Sequence, residues 1–243
     1  MLRNKIHTII SFPVFIILYT HTAITVLFIL LFSYIKWKRA VYAVMGTWAK
    51  MVFVIMGKRL HITGRKHLDK SRNYILLANH SSMFDITAIM TFYPGVSWFG
   101  HERLLKIPLV RKMLLMTDYI PMTLKNVKNT RLMLQQLVEK SRGRTIAIFP
   151  EGTRTLDGKI SPFYRGFVYL LRASEADILP VTLNGFYKLK PKNRFYINFS
   201  SKLEIVIHKP IPGPGLIQLE DKEIIEGVKE VIESASTDLQ EEN

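Results

Sequence analysis

YILLANHSSMFD, residues 74–85, sets an unbroken apolar run against a polar cluster. Five apolar residues, 74–78, followed by Asn, His and two Ser read as a strand buried on both faces, the kind found in the middle of a parallel sheet. The spacing of SSMFDITAIMTFY, 81–93, then predicts a helix. The pattern returns at 145–154, where TIAI leads directly into FPEGTR. In open α/β sheets ligands collect beyond the carboxyl ends of the strands. Both polar clusters therefore fall where a single site would be built.

Working outward, further strands are predicted at 58–65, 95–100, 118–122 and 177–185, and the alternation of RFYINFSSKLEIVIHKP, 194–210, suits two more. Helical spacing covers 102–117 (interrupted by Pro108), the amphipathic stretch 126–141, 167–174 and 217–236. Alternating strands and helices predict an α/β domain over residues 58–243, with a mostly parallel sheet flanked by helices. No internal repeat or low-complexity linker divides it.

The N-terminal quarter is different. Residues 8–35 contain no Lys, Arg, Asp or Glu, a run longer than the roughly 20 apolar residues a membrane-spanning helix needs. KWKR follows, where a cleaved signal would show small residues. Lys36, Lys38 and Arg39 suit anionic headgroups. Pro13 and the polar THT at 20–22 leave a single tilted span or a short hairpin dipping into one leaflet. Residues 41–57 read as an interfacial or core-packed helix. Residues 1–57 are thus expected to be membrane-anchoring helices, placing the protein at the cell membrane with its α/β domain on the cytoplasmic side.

Composition narrows the chemistry. Among 243 residues there is no cysteine, so disulfides, thiolate nucleophiles and Cys-ligated metals are excluded. The net charge is +15, and the acids concentrate in 216–243, so the rest of the chain is more basic still. Such a body favours an anionic partner: membrane, phosphorylated substrate or nucleic acid. A basic membrane-tethered module that binds anionic lipid or nucleic acid, without catalysis, is the reading that charge alone permits. No helix-turn-helix, RNP or zinc-finger pattern supports nucleic acid.

His80 and Asp85 lie five apart, about 140° around a regular helix, and would face away from each other on one. To act together they need a turn at 80–84, with Asp85 reaching back from the next helix and Ser81–Ser82 supplying its N-cap. An Asp on one imidazole nitrogen fixes the tautomer and leaves the other nitrogen as a general base. In FPEGTR, Gly152 permits close backbone approach, Arg154 offers a fork suited to phosphate, and Glu151 is available to orient a neighbour.

NHSSMFD resembles the motif N-H-x-x-x-x-D, and FPEGTR its companion, of the glycerolipid acyltransferases typified by 1-acylglycerol-3-phosphate acyltransferase. Ile107–Pro108, PFYRG at 162–166 and LPV at 179–181 resemble further blocks of that family, in its order. The resemblance spans roughly 58–185. It implies that His80, oriented by Asp85, deprotonates the free hydroxyl of a lysophosphatidic acid. That hydroxyl attacks the thioester of acyl-CoA or acyl carrier protein and gives phosphatidic acid. Glu151, Gly152, Thr153 and Arg154 would form the acceptor-phosphate pocket. Acyl-CoA or carrier protein enters as co-substrate, with no metal and no other cofactor, and a phospholipid surface is implied as partner. Where the family often carries an Asp-Arg pair this chain has Thr123 and Leu124, leaving Lys125 as the nearest cation. Another lysophospholipid or a lyso-ornithine lipid is the alternative acceptor.

Overall fold

The computed structural model describes residues 2–101, 105–106, 111, 119–122, 139 and 143–237. Lys125, Thr123, Leu124 and Ile107–Pro108 lie outside the described residues, as do nearly all of the helices predicted over 102–117 and 126–141.

Seven strands form one sheet in the order β1-β7-β6-β2-β5-β3-β4. They are β1 (Leu60–Thr63), β2 (Tyr74–Ala78), β3 (Ser97–His101), β4 (Ile120–Met122), β5 (Ile146–Ile148), β6 (Asp177–Asn184) and β7 (Leu203–Ile207). Every pairing is parallel except β6 with β7. The predicted architecture is therefore present, with the most apolar strands at its centre. All five residues of β2 are buried. Their side chains alternate between two cores: Tyr74, Leu76 and Ala78 on one face, Ile75 and Leu77 on the other. Burying each large aliphatic side chain contributes about 1.5–3 kcal/mol.

Helices cover both faces. The first face carries α2 (Lys38–Ile55) and α3 (Asp85–Met90), whose buried residues, such as Met45, Phe53, Ala88 and Ile89, join the core shared with Leu76. The second carries α4 (Gly166–Ser174) and α5 (Asp221–Ser234), with Phe167, Leu171, Ile224 and Val228 packed beside Leu77. The α5 start is fixed by a reciprocal capping box between Glu220 and Glu223.

The first helix, α1, runs unbroken from Leu2 to Tyr34. The hairpin alternative for this segment is thereby corrected. Pro13 is accommodated inside the helix, and THT does not break it, because Thr22 donates to the Leu18 carbonyl and accepts from Trp48 Nε1 of α2 at 3.1 Å. Residues 41–57 take the core-packed alternative.

The alternation at 194–202 does not produce a strand; only 203–207 does. Those apolar residues pack on α1 instead. The Ile197 N–H donates to Ser11 Oγ at 2.8 Å, the Tyr196 ring stacks on His7, and Phe195 packs on Phe15.

Candidate active site

The parallel register of β2 and β5 brings the two polar clusters together. Leu77 pairs with Ile148, so continuing three residues beyond that pair on each chain sets His80 beside Glu151. The His80 N–H donates to Glu151 Oε1 at 2.6 Å, and the Thr155 N–H donates to the His80 carbonyl at 2.9 Å. Glu151 Oε2 accepts from the Ser161 N–H at 2.8 Å. Its buried carboxyl therefore ties the His80 loop to the segment leading into α4. Burial raises the Glu151 pKa, against the lowering effect of those amide donors.

Residues 80–84 form the turn the spacing required. His80 Nδ1 lies 2.8 Å from Asp85 Oδ2, and the same oxygen accepts the N–H groups of Ser81 (2.6 Å) and Ser82 (2.8 Å). With two amide donors already on that oxygen, it acts as acceptor toward the ring, so the proton of the neutral imidazole sits on Nδ1 and the Nε2 lone pair is left free. Asp85 is fully buried and opens α3, while the His80 side chain keeps 16% of its surface exposed. The serines are not the N-cap, which is Phe84. Ser82 Oγ donates instead to the Lys190 carbonyl at 2.7 Å, because its N–H is already turned toward Asp85.

The ring has a second support that sequence reasoning passed over. Phe149 stacks on His80 with centroids 4.0 Å apart and planes 12° apart, and Trp98 stacks behind Phe149 at 5.7 Å. The signal was present, since Phe149 opens FPEGTR. Asn79 likewise bridges sideways, donating to the Leu183 carbonyl and accepting the Leu183 N–H, which locks the end of β2 to β6.

In the other loop Gly152 has φ +67°, and a Cβ there would come within 3.1 Å of the Tyr164 ring. The positive φ calls for glycine, and any Cβ would also push the exposed Tyr164 ring aside. Thr153 is exposed and Arg154 half-buried. Arg154 makes no hydrogen bond or ion pair among the described residues, and its neighbour Thr155 is the residue bonded to His80. The described residues contain no cluster of three His, Asp or Glu able to hold a metal ion. A cavity of about 540 Å³ lies at the opposite end of the strands, lined by Arg72, Tyr74, Arg144 and Asp177 among others, and shares no residue with these loops.

A protein-family model described as Acyltransferase matches residues 59–184, a little over half of the chain. The chain belongs to the acyltransferase family. This acyltransferase is 29% identical over 172 residues to the 1-acyl-sn-glycerol-3-phosphate acyltransferase of Borreliella burgdorferi, covering 70% of this chain and 68% of that one. It is 28% identical over 152 residues to the enzyme of the same name from Limnanthes douglasii, of which it spans 53%. Its fold matches the crystal structure of the 1-acyl-sn-glycerophosphate (LPA) acyltransferase from Thermotoga maritima with a TM-score of 0.80, at 26% identity and over 93% and 94% of the two chains. All the dyad and FPEGTR residues of the acyltransferase fall inside the matched segment.

Proposed function

We propose that this acyltransferase moves a fatty acyl group from acyl-CoA or acyl carrier protein to the free hydroxyl of lysophosphatidic acid, forming phosphatidic acid. The observation that carries the reading is an imidazole held by a buried carboxylate through Nδ1, with Nε2 left over and, among the described residues, no Ser nucleophile paired to it. Such a base suits a nucleophile brought by the substrate. Nε2 takes the acceptor hydroxyl proton as that oxygen attacks the thioester carbonyl. The tetrahedral adduct then collapses, expelling the thiolate, which recovers the proton from the imidazolium. Asp85 stabilises the imidazolium between the two steps. An ester and a free thiol result. Arg154, with its donors unengaged, is the group placed to receive the acceptor phosphate, while Glu151 and Gly152 shape the loop that carries it.

The surface of α1 supports a lipid location. Four of its polar residues face the protein, His7, Ser11, Thr25 and Ser33 all being buried, while Ile9, Phe12, Tyr19 and Leu27 are each 64–71% exposed. That is an amphipathic pattern turned inside out for water and natural for lipid. The helix is about 50 Å long against a hydrocarbon thickness of about 30 Å. We assign residues 1–57 as the membrane module and 58–243 as the catalytic domain, on the cytoplasmic face.

The test is purified protein, labelled acyl-CoA and a panel of lysophosphatidic acid, other lysophospholipids and lyso-ornithine lipid, with products identified by mass. Phosphatidic acid as the main product is expected. Acylation of another acceptor in its place overturns the lysophosphatidic acid assignment.

A further inference from the structure

The connection between β6 and β7, where sequence reasoning assigned no role, reaches both catalytic loops. From it the Lys190 carbonyl accepts Ser82 Oγ of the dyad turn. Tyr187 OH donates to the Leu156 carbonyl at 2.8 Å, and the Tyr187 ring lies where a Cβ on Gly158 would meet it at 3.0 Å. Residues 187–190 are thus laced to the dyad turn on one side and to the FPEGTR loop on the other.

Three cations, Lys190, Arg194 and Arg154, act on one another there, and none forms an ion pair with an acid among the described residues. The Lys190 ammonium has three donors and uses one, toward the Arg194 carbonyl at 2.6 Å. Arg194 itself is consumed by the loop: its guanidinium donates to the carbonyls of Lys188, Leu189 and Tyr196 and lies 4.7 Å over the Tyr196 ring. The nearby carboxylates are engaged elsewhere, Glu151 with two backbone amides and Asp157 with Thr155 and the Lys159 N–H. Lys190 has no ion pair among the described residues, and neither does Arg154. Burial first, then the charges of Arg154 and Arg194, hold the Lys190 pKa below its usual value, which puts Arg154 within electrostatic reach of it. Half-buried cations that repel each other and lack a counter-charge are in the arrangement that a bound anion relieves.

We propose that Lys190 is a second cation of the phosphate grip beside His80, acting with Arg154 on one substrate phosphate. Resting on the acyl-transfer reading above, this gives Arg154 the fork and Lys190 the point charge. The phosphate comes either from the lysolipid acceptor or from CoA, and kinetics separate them.

Full-length protein in mixed lipid–detergent micelles is assayed as wild type, Lys190→Met, Lys190→Arg, Arg154→Met and the double Met variant. KM is measured for lysophosphatidic acid and for acyl-CoA, each at saturating co-substrate. Lys190→Met is expected to raise one of the two about tenfold, the weight of one charge-assisted hydrogen bond, with kcat within about twofold. A rise for the lysolipid identifies the acceptor phosphate; a rise for acyl-CoA identifies the donor's. Lys190→Arg should restore most of the loss, and the double variant should lose less than the product of the single losses. Unchanged KM values, a fall in kcat alone, or no rescue by Arg overturns the assignment. Should wild type not acylate lysophosphatidic acid, the reading of the previous subsection fails by itself, and Lys190 is judged by glycerol 3-phosphate, a phosphate monoester. It should raise the melting temperature of wild type and not of Lys190→Met. An equal shift in both, or none in wild type, overturns the inference.

Discussion

His80 is held at four points: its N–H by Glu151, its carbonyl by the Thr155 N–H, its Nδ1 by Asp85 and its ring face by Phe149. Nε2 is the ring nitrogen without a partner among the described residues, and the proposed mechanism makes it the base. His80→Ala should therefore lower kcat by about 10²–10⁴-fold, the range of one general base, with the melting temperature little changed. Near-normal turnover would remove the base assignment. Glu151→Gln is a sharper probe of the scaffold. Both carboxylate oxygens accept backbone N–H groups, and a Gln must point its NH2 at one of them. A stability loss of about 1–3 kcal/mol by denaturant titration is expected, together with reduced kcat. Full stability in that variant would show the two-loop tie to be dispensable. The dyad was legible from the two polar clusters taken together and their resemblance to the family's motifs; the five-residue spacing by itself said only that a turn was needed. The Glu151 tie was not, because Ser161 is an ordinary loop residue whose contribution is its backbone N–H.

Strands β2 and β5 announce themselves, since a strand buried on both faces reads as a near-continuous apolar run. The stretch 194–202 misleads for the complementary reason. Its apolar residues have a buried surface to meet, but that surface is helix α1, and periodicity does not say which element supplies the partner. The same region holds a buried lysine. Lys58, just past α2, donates to the carbonyls of Phe199 at 2.7 Å and Ser201 at 2.5 Å. Burial lowers its pKa from 10.5 to about 8. Between those values the unfolded chain holds the proton more firmly than the folded one. This lysine's contribution to stability is therefore present above pH 10.5 and lost as pH falls through about 8. Melting curves should show wild type gaining on Lys58→Met as pH rises through that window. Parallel pH profiles would mean the ammonium is not penalised by burial.

For the whole molecule, the question is how a soluble-looking α/β sheet is joined to so apolar a helix. Leu18 and Ile29 of α1 belong to the same core as Leu76 and Phe84, so the helix is built into the body and does not hang from it. Its outward face is the part that the proposed membrane location assigns to lipid. Replacing Ile16 and Leu27, 52% and 65% exposed, with Lys should weaken co-sedimentation with phospholipid vesicles while leaving the melting temperature of the detergent-solubilised protein within a few degrees. Unchanged sedimentation would place the lipid contact on another surface. The sequence displayed the apolar length of this helix plainly. It did not display which face turns inward, because His7, Ser11, Thr22 and Thr25 look like interruptions until their partners are known.

The segment between β6 and β7 touches α1 through Ile197 and the dyad turn through Lys190. A change in the first helix can therefore reach the dyad turn through that segment. A chimaera that imports a foreign first helix and keeps the native loop inherits mismatched halves of one joint. Importing both as a pair should bring back the turnover that the single graft loses.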